Sequence, residues 1–127
     1  MKVAFAFLAV LFLALAVPHS AQAQAVCTAS NYGLFGNDGD QDLLNCNTGT
    51  SATASATLSY NGSPACGKLT LWDLDANVLV DRQTGCGGSL FVSGYSISGY
   101  NTHWLSVLTD KNGTSQWVSF THDLNTY

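Results

Sequence analysis

Between Ser51 and Tyr60 every second residue is apolar: Ala52, Ala54, Ala56, Leu58 and Tyr60 alternate with Thr53, Ser55, Thr57 and Ser59. A period of two predicts a strand with one buried face. Asn61-Gly62-Ser63-Pro64 then reads as a turn. Gly67 to Leu74 and Val78 to Gln83 are expected to be strands around a tight Asp75-Ala76-Asn77 turn, and Ser89 to Tyr95 one more. His103 to Thr109 and Thr114 to His122 flank Asn112-Gly113, the dipeptide preferred at type I′ hairpin tips. With those two residues at the tip, Val107 faces Val118, Leu105 faces Phe120, Leu108 faces Trp117, Trp104 faces Thr121, and His103 faces His122. No segment carries a convincing helical period. The pattern predicts an all-β sandwich.

A different pattern opens the chain. Lys2 supplies a positive start, Val3 to Val17 is apolar throughout, Pro18 ends the run, and Ala21-Gln22-Ala23 offers a small-x-small cleavage sequence. The run falls short of the roughly 20 residues that span a bilayer, so residues 1–23 read as a signal peptide cut before Gln24. Ala23-Gln24-Ala25 is a second possible cut site. No other apolar stretch approaches that length, so the mature chain is expected to be secreted and soluble, without a transmembrane segment. What remains is one domain. Residues 24–52 are read as a disulfide-tethered N-terminal segment with an acidic loop, and residues 53–127 as the sandwich core.

Cysteines sharpen this picture. Cys27, Cys46, Cys66 and Cys86 are even in number and follow an export signal, which points to two disulfides. A zinc site would want closely spaced pairs, and none of the four is near another in sequence. In a hairpin centred on Ala76, Cys66 and Cys86 lie opposite each other at the open end. The preferred pairing is therefore Cys66–Cys86 with Cys27–Cys46, on the condition that no β-bulge shifts the register. Charge narrows the partners. The net charge is −4, all eight acids are aspartate, and only Lys68, Arg82 and Lys111 are basic after Lys2. Phosphate recognition needs a basic footprint, so nucleic acid is excluded as a partner class.

From Leu58 the chain runs LSYNGSPA, then GKLTLWDLD and VLVD, followed by Thr84, Gly88, Leu90, Val92, Ser93-Gly94-Tyr95 and finally HWLSVLTD. Over Leu58 to Asp110 this resembles the nematode transthyretin-like family; a broader transthyretin-like or carboxypeptidase-regulatory-like sandwich fits the same motifs. Tyr60 and Lys111 stand where that family usually carries cysteines. The resemblance implies a Greek-key sandwich and extracellular or cell-surface roles, such as bridging surfaces or acting on a host.

Candidate chemistry is sparse. Asp38, Asp40 and Asp42 alternate in Asn37-Asp38-Gly39-Asp40-Gln41-Asp42, a spacing used by calcium loops. Leu43 and Gly49 stand where an EF-hand opened by Asp38 needs Gly and Glu, so a solvated acidic loop closed by Cys27–Cys46 is the preferred reading. His103 and His122, facing across the expected hairpin, would bring two imidazoles together, fewer ligands than a tight metal site needs. They are expected at the end of an apolar stripe, partly wet. A Ser/His/Asp triad can be assembled on paper, but no GxSxG elbow is present. Trp104 and Trp117, near Ser106, Ser119 and Thr121, would form an aromatic and hydroxyl surface suited to a sugar or a protein partner, with at least one of the two indoles expected in the core. Asn61 and Asn112 head glycosylation sequons, Asn112 being the better acceptor at a hairpin tip. The expectation is a secreted, non-enzymatic binding protein without a cofactor, recognising an extracellular protein, glycan or lipid surface. A small-ligand or metal carrier is the alternative, and a hydrolase comes third.

Overall fold

The computed structural model describes residues 24–113 and 115–127, and among these there is no helix. Nine strands follow one another: β1 (Cys27–Phe35), β2 (Gln41–Cys46), β3 (Ser51–Tyr60), β4 (Ser63–Pro64), β5 (Gly67–Asp73), β6 (Val78–Gly85), β7 (Ser89–Tyr95), β8 (Trp104–Asp110) and β9 (Val118–Thr126). They form two antiparallel sheets. In the first, β9 lies between β1 and β3, and β7 and β4 share the far side of β3; in the second the order is β2-β8-β5-β6. The expected signal peptide lies outside the described residues.

The alternation in β3 does what the sequence implies. Ala52, Ala54, Ala56 and Leu58 point into the core while Thr53, Ser55 and Thr57 point away from it. The bulk between the sheets comes from elsewhere: Leu69 and Leu71 of β5, Leu90 and Val92 of β7, Trp104 and Leu108 of β8, and Val118, Phe120 and Leu124 of β9. Small side chains on β3 and large ones on the strands around it share the interior. Phe35 stacks on Phe120 with ring centroids 4.2 Å apart.

Both disulfides pair as the sequence suggests. Cys27–Cys46 ties β1 of the first sheet to β2 of the second. Cys66–Cys86 closes the open end of the β5–β6 hairpin, where Gly67 faces Gly85 directly inside it. A bulge does occur in this hairpin, between Leu71 and Trp72, but on the turn side, so the cysteine end keeps its register. The opposite flank of the sandwich closes by side chains. Asp81 Oδ2 accepts from the Ser93 amide (3.0 Å) and Gln83 Oε1 from the Phe91 amide (2.6 Å), so β6 satisfies donors along the edge of β7. Gly94 permits the approach, since a Cβ there would lie 2.1 Å from Val80 Cγ1.

Segment 24–52, tethered by its disulfide, supplies an edge strand to each sheet, β1 beside β9 and β2 beside β8. One expectation is corrected: the hairpin around Asn112-Gly113 does not form. β8 sits between β2 and β5 in one sheet and β9 between β1 and β3 in the other, so none of the expected facing pairs exists. Asn112 is engaged elsewhere. Its side-chain Oδ1 accepts from the Cys66 amide (2.8 Å) and its Nδ2 donates to the Cys66 carbonyl (2.9 Å) and to Asp110, which anchors the end of β8 beside the start of β5. Asp38 Oδ1 then accepts from the Gly113 amide (2.9 Å) as the chain crosses over. The type I′ signature belongs to the other Asn-Gly: Asn61 (φ 48°) and Gly62 (φ 77°) are both left-handed and join β3 to β4.

Candidate functional site: the outer face of the first sheet

The residues singled out in the sequence are scattered. Asp40 accepts from the Gly36 and Asn37 amides (2.9 Å each) and caps the β1–β2 turn, Asp38 holds Gly113, and Asp42 lies in β2, buried. Three carboxylates in three directions do not make a calcium cage, and Asp42 is not part of a solvated loop. Among the described residues no three His, Cys, Asp or Glu side chains cluster as metal ligands. The histidines are separated. His103 Nδ1 meets Asp75 (2.8 Å) on the surface, whereas His122 is mid-strand and fully buried rather than at a wet rim. Trp104 is buried, its indole donating to the Gly49 carbonyl (3.0 Å), and Trp117 is 68 % exposed, so the two do not share a surface. Asn112 Nδ2 is occupied by Cys66 and Asp110; Asn61 stands exposed at its turn.

His122 belongs to a cluster that spacing did not reveal. Its Nδ1 lies 2.8 Å from Asp42 Oδ2 and its Nε2 lies 2.8 Å from Ser106 Oγ, while Asn31 Nδ2 donates to Asp42 Oδ1 (2.6 Å). Burial holds the imidazole below its usual pKa, against the opposing pull of Asp42, so the ring is neutral at pH 7. Nδ1–H then donates to Asp42, and Nε2 accepts the Ser106 hydroxyl proton. The connectivity is that of a hydrolytic triad. Ser106 and His122 are 0 % exposed and Asp42 9 %, so a scissile carbonyl has no approach to the hydroxyl in this arrangement. What the cluster does here is bridge the sheets, β9 of one to β2 and β8 of the other, with its polar atoms paired inside the core.

The outward side chains make a coherent surface. Strand register aligns rows across the first sheet: Tyr32, Thr121, Thr57 and Ser89; Ser30, Asp123, Ser55 and Phe91; Thr28, Asn125, Thr53 and Ser93. Short hydroxyls form the floor, and the two flanking strands carry the aromatics: Tyr32 on β1 (84 % exposed), Phe91 (57 %) and Tyr95 (80 %) on β7. The floor is ordered by its own cross-strand bonds, Thr57 with Thr121 (2.6 Å), Ser30 to Asp123 (2.7 Å) and Thr28 to Asn125 (2.9 Å). A shallow depression of about 410 Å³ lies over Ser55, Thr57, Thr121 and Asp123 with Phe91 as a wall, and a smaller one continues between Phe91 and Tyr95. The second sheet differs outside. Leu43, Leu105, Val107 and Trp72 surround Thr70 there.

Tyr95 leads into a loop that is unusually well tied. Asp73 accepts from the Ile97 amide (2.9 Å), the Ala76 amide (3.2 Å) and the Thr102 hydroxyl, and Ser96 Oγ donates to the Tyr100 carbonyl (2.6 Å). Burial works to raise the Asp73 pKa, but these donors outweigh it and hold the carboxyl below its usual range. The sequence held the signal for the hydroxyl face: Thr53, Ser55, Thr57 and Ser59 in one strand and Ser119, Thr121, Asp123 and Asn125 in another. Joining them required knowing that β9 pairs with β3.

No family model matches this chain, and no curated protein matches it. Among solved structures it is similar to the Yersinia pseudotuberculosis-derived mitogen, at 16 % identity and TM-score 0.51 over 80 % of this chain and 86 % of that one. It is also similar to PliG of Aeromonas hydrophila, a periplasmic inhibitor of g-type lysozyme, at 11 % identity and TM-score 0.50 over 85 % and 91 %. At these identities the likeness is one of fold: this chain is an all-β, two-sheet, doubly disulfide-bonded domain.

Proposed function

We propose that the chain is a secreted, non-enzymatic binding protein that recognises glycans on the outer face of its first sheet. One observation carries the reading: the hydroxyl floor of β3 and β9 is bordered by the exposed aromatics Tyr32, Phe91 and Tyr95. A sugar ring has apolar faces that stack on aromatics and a rim of hydroxyls that exchange hydrogen bonds, which is the chemistry such a surface offers. Two disulfides fit an oxidising, extracellular setting, to which the signal peptide expected over residues 1–23 would direct the chain. The transthyretin-like resemblance over Leu58 to Asp110 belongs to the same proposal. The buried Ser106 and His122 offer no surface for a substrate, so the reading places no reaction at that cluster.

The test is a panel of immobilised glycans probed with the exported protein and with a Phe91→Ala, Tyr95→Ala double variant. Binding that falls at least about tenfold in the variant is expected, given the worth of aromatic anchors. A folded protein that retains no glycan, or one whose binding ignores both substitutions, overturns the reading.

A further inference from the structure

Among the described residues, Asp123 is the only carboxylate or base on the outward rows of the first sheet; its companions there are Ser, Thr, Asn and aromatic residues. Ser30 donates to its Oδ1, and no described residue donates to Oδ2. It has no cationic partner either: the described ion pairs are those of His103 with Asp75 and His122 with Asp42. Lys68 and Arg82 belong to strands of the second sheet. An anion with one oxygen uncommitted, set at the edge of a depression, is a place for a cation.

The shape of the depression says which kind. Across the row, Ser55 separates Asp123 from Phe91, so the carboxylate and the aromatic ring stand two strands apart, about 10 Å at the backbone. The small Ser55 side chain keeps the floor low between them. Thr57 and Thr121 border it on one side, their hydroxyls bonded to each other. A six-membered sugar ring placed over Ser55 would turn its apolar face toward Phe91 and extend one substituent toward Asp123. An N-acetyl group or a hydroxyl there meets a carboxylate as a neutral donor; a free ammonium meets it as a counter-charge. We infer that this depression is a subsite for amino sugars bearing a free ammonium, with Asp123 as the selecting residue. The inference rests on the glycan reading above and adds the class of sugar.

The experiment compares a tetramer of β-linked glucosamine with its fully N-acetylated counterpart by calorimetry on the exported protein. The glucosamine form is expected to bind about tenfold more tightly, the difference a single charge-assisted contact typically makes. Asp123→Asn should abolish that preference while leaving the acetylated form unaffected. Asp75→Asn, which removes the same charge elsewhere, should leave the preference intact. Equal affinity for the two tetramers in the unmodified protein overturns the assignment but leaves the glycan reading standing, and needs no variant to fold. Equal losses from Asp123→Asn and Asp75→Asn overturn it as bulk attraction between a polyanion and a polycation. Failure of both tetramers to bind, together with failure of the glycan panel, removes the subsite and the glycan reading together.

Discussion

Two histidines in this chain make the same contact in opposite surroundings. His103 Nδ1 and His122 Nδ1 each lie 2.8 Å from an aspartate oxygen, but the first pair is 55 % and 54 % exposed at its side chains and the second 0 % and 10 %. On the surface, water competes for both partners, and the bond to His103 shows chiefly as a lowered Asp75 pKa. In the core the outcome inverts. Burial disfavours the imidazolium more than Asp42 favours it, so the same geometry holds a neutral ring, and Ser106 completes its hydrogen bonding. Distance alone therefore does not define an interaction; the solvent each group gave up decides what the contact is.

The largest test of this contrast is His122→Ala. It leaves buried Asp42 with only the Asn31 amide as a donor and Ser106 without an acceptor, and should cost about 3–5 kcal/mol in denaturant unfolding. A cost near that of a surface change would mean the cluster does not bridge the sheets. Next in size, Ser106→Ala strips the donor from Nε2 and should cost about 1–3 kcal/mol. The pH dependence follows. Unfolded, His122 binds a proton near pH 6.5; folded, it does so only at lower pH. The unfolded state thus holds more protons as pH drops below 6.5, so stability is full above that value and falls beneath it, by at most about 1.4 kcal/mol per pH unit. Asp73 acts in a separate, more acidic window: its carboxyl is held below 3.8, so its contribution is lost as pH falls through that region. Urea midpoints between pH 7 and 5 should slope in the native chain, and a flat profile there would contradict the neutral buried ring. Smallest of all, His103→Ala should leave the midpoint unchanged within error, because an exposed pair adds little.

How much of this was legible depended on how local the signal was. Ala52 to Tyr60 announced its strand because alternation is a property of adjacent residues. Cys66 and Cys86 announced their bond because a short hairpin carries its own register, and the bulge at Leu71 and Trp72 lay on the harmless side. The site was harder. Asn112-Gly113 carries the same letters as Asn61-Gly62, yet only the second makes the hairpin turn; the Asn112 side chain instead bonds the backbone of Cys66, far away in sequence. That one misplacement set His103 opposite His122, put Trp104 and Trp117 on one surface, and hid the row from Ser30 to Phe91.

By itself, then, the sequence determined the strands of the middle of the chain, the apolar face of β3, the all-β class and the disulfide pairing, because these follow from side-chain period and from contacts a few residues apart. Tertiary structure decided which sheet each strand joined, which histidine lost its water, and that β9 and β3 align their hydroxyls beside Phe91 and Tyr95. The reason is physical. An antiparallel strand offers identical backbone bonds to any neighbour, so its partner is chosen by competition across the whole chain, won here by β8 and β9 each becoming the centre of a different sheet.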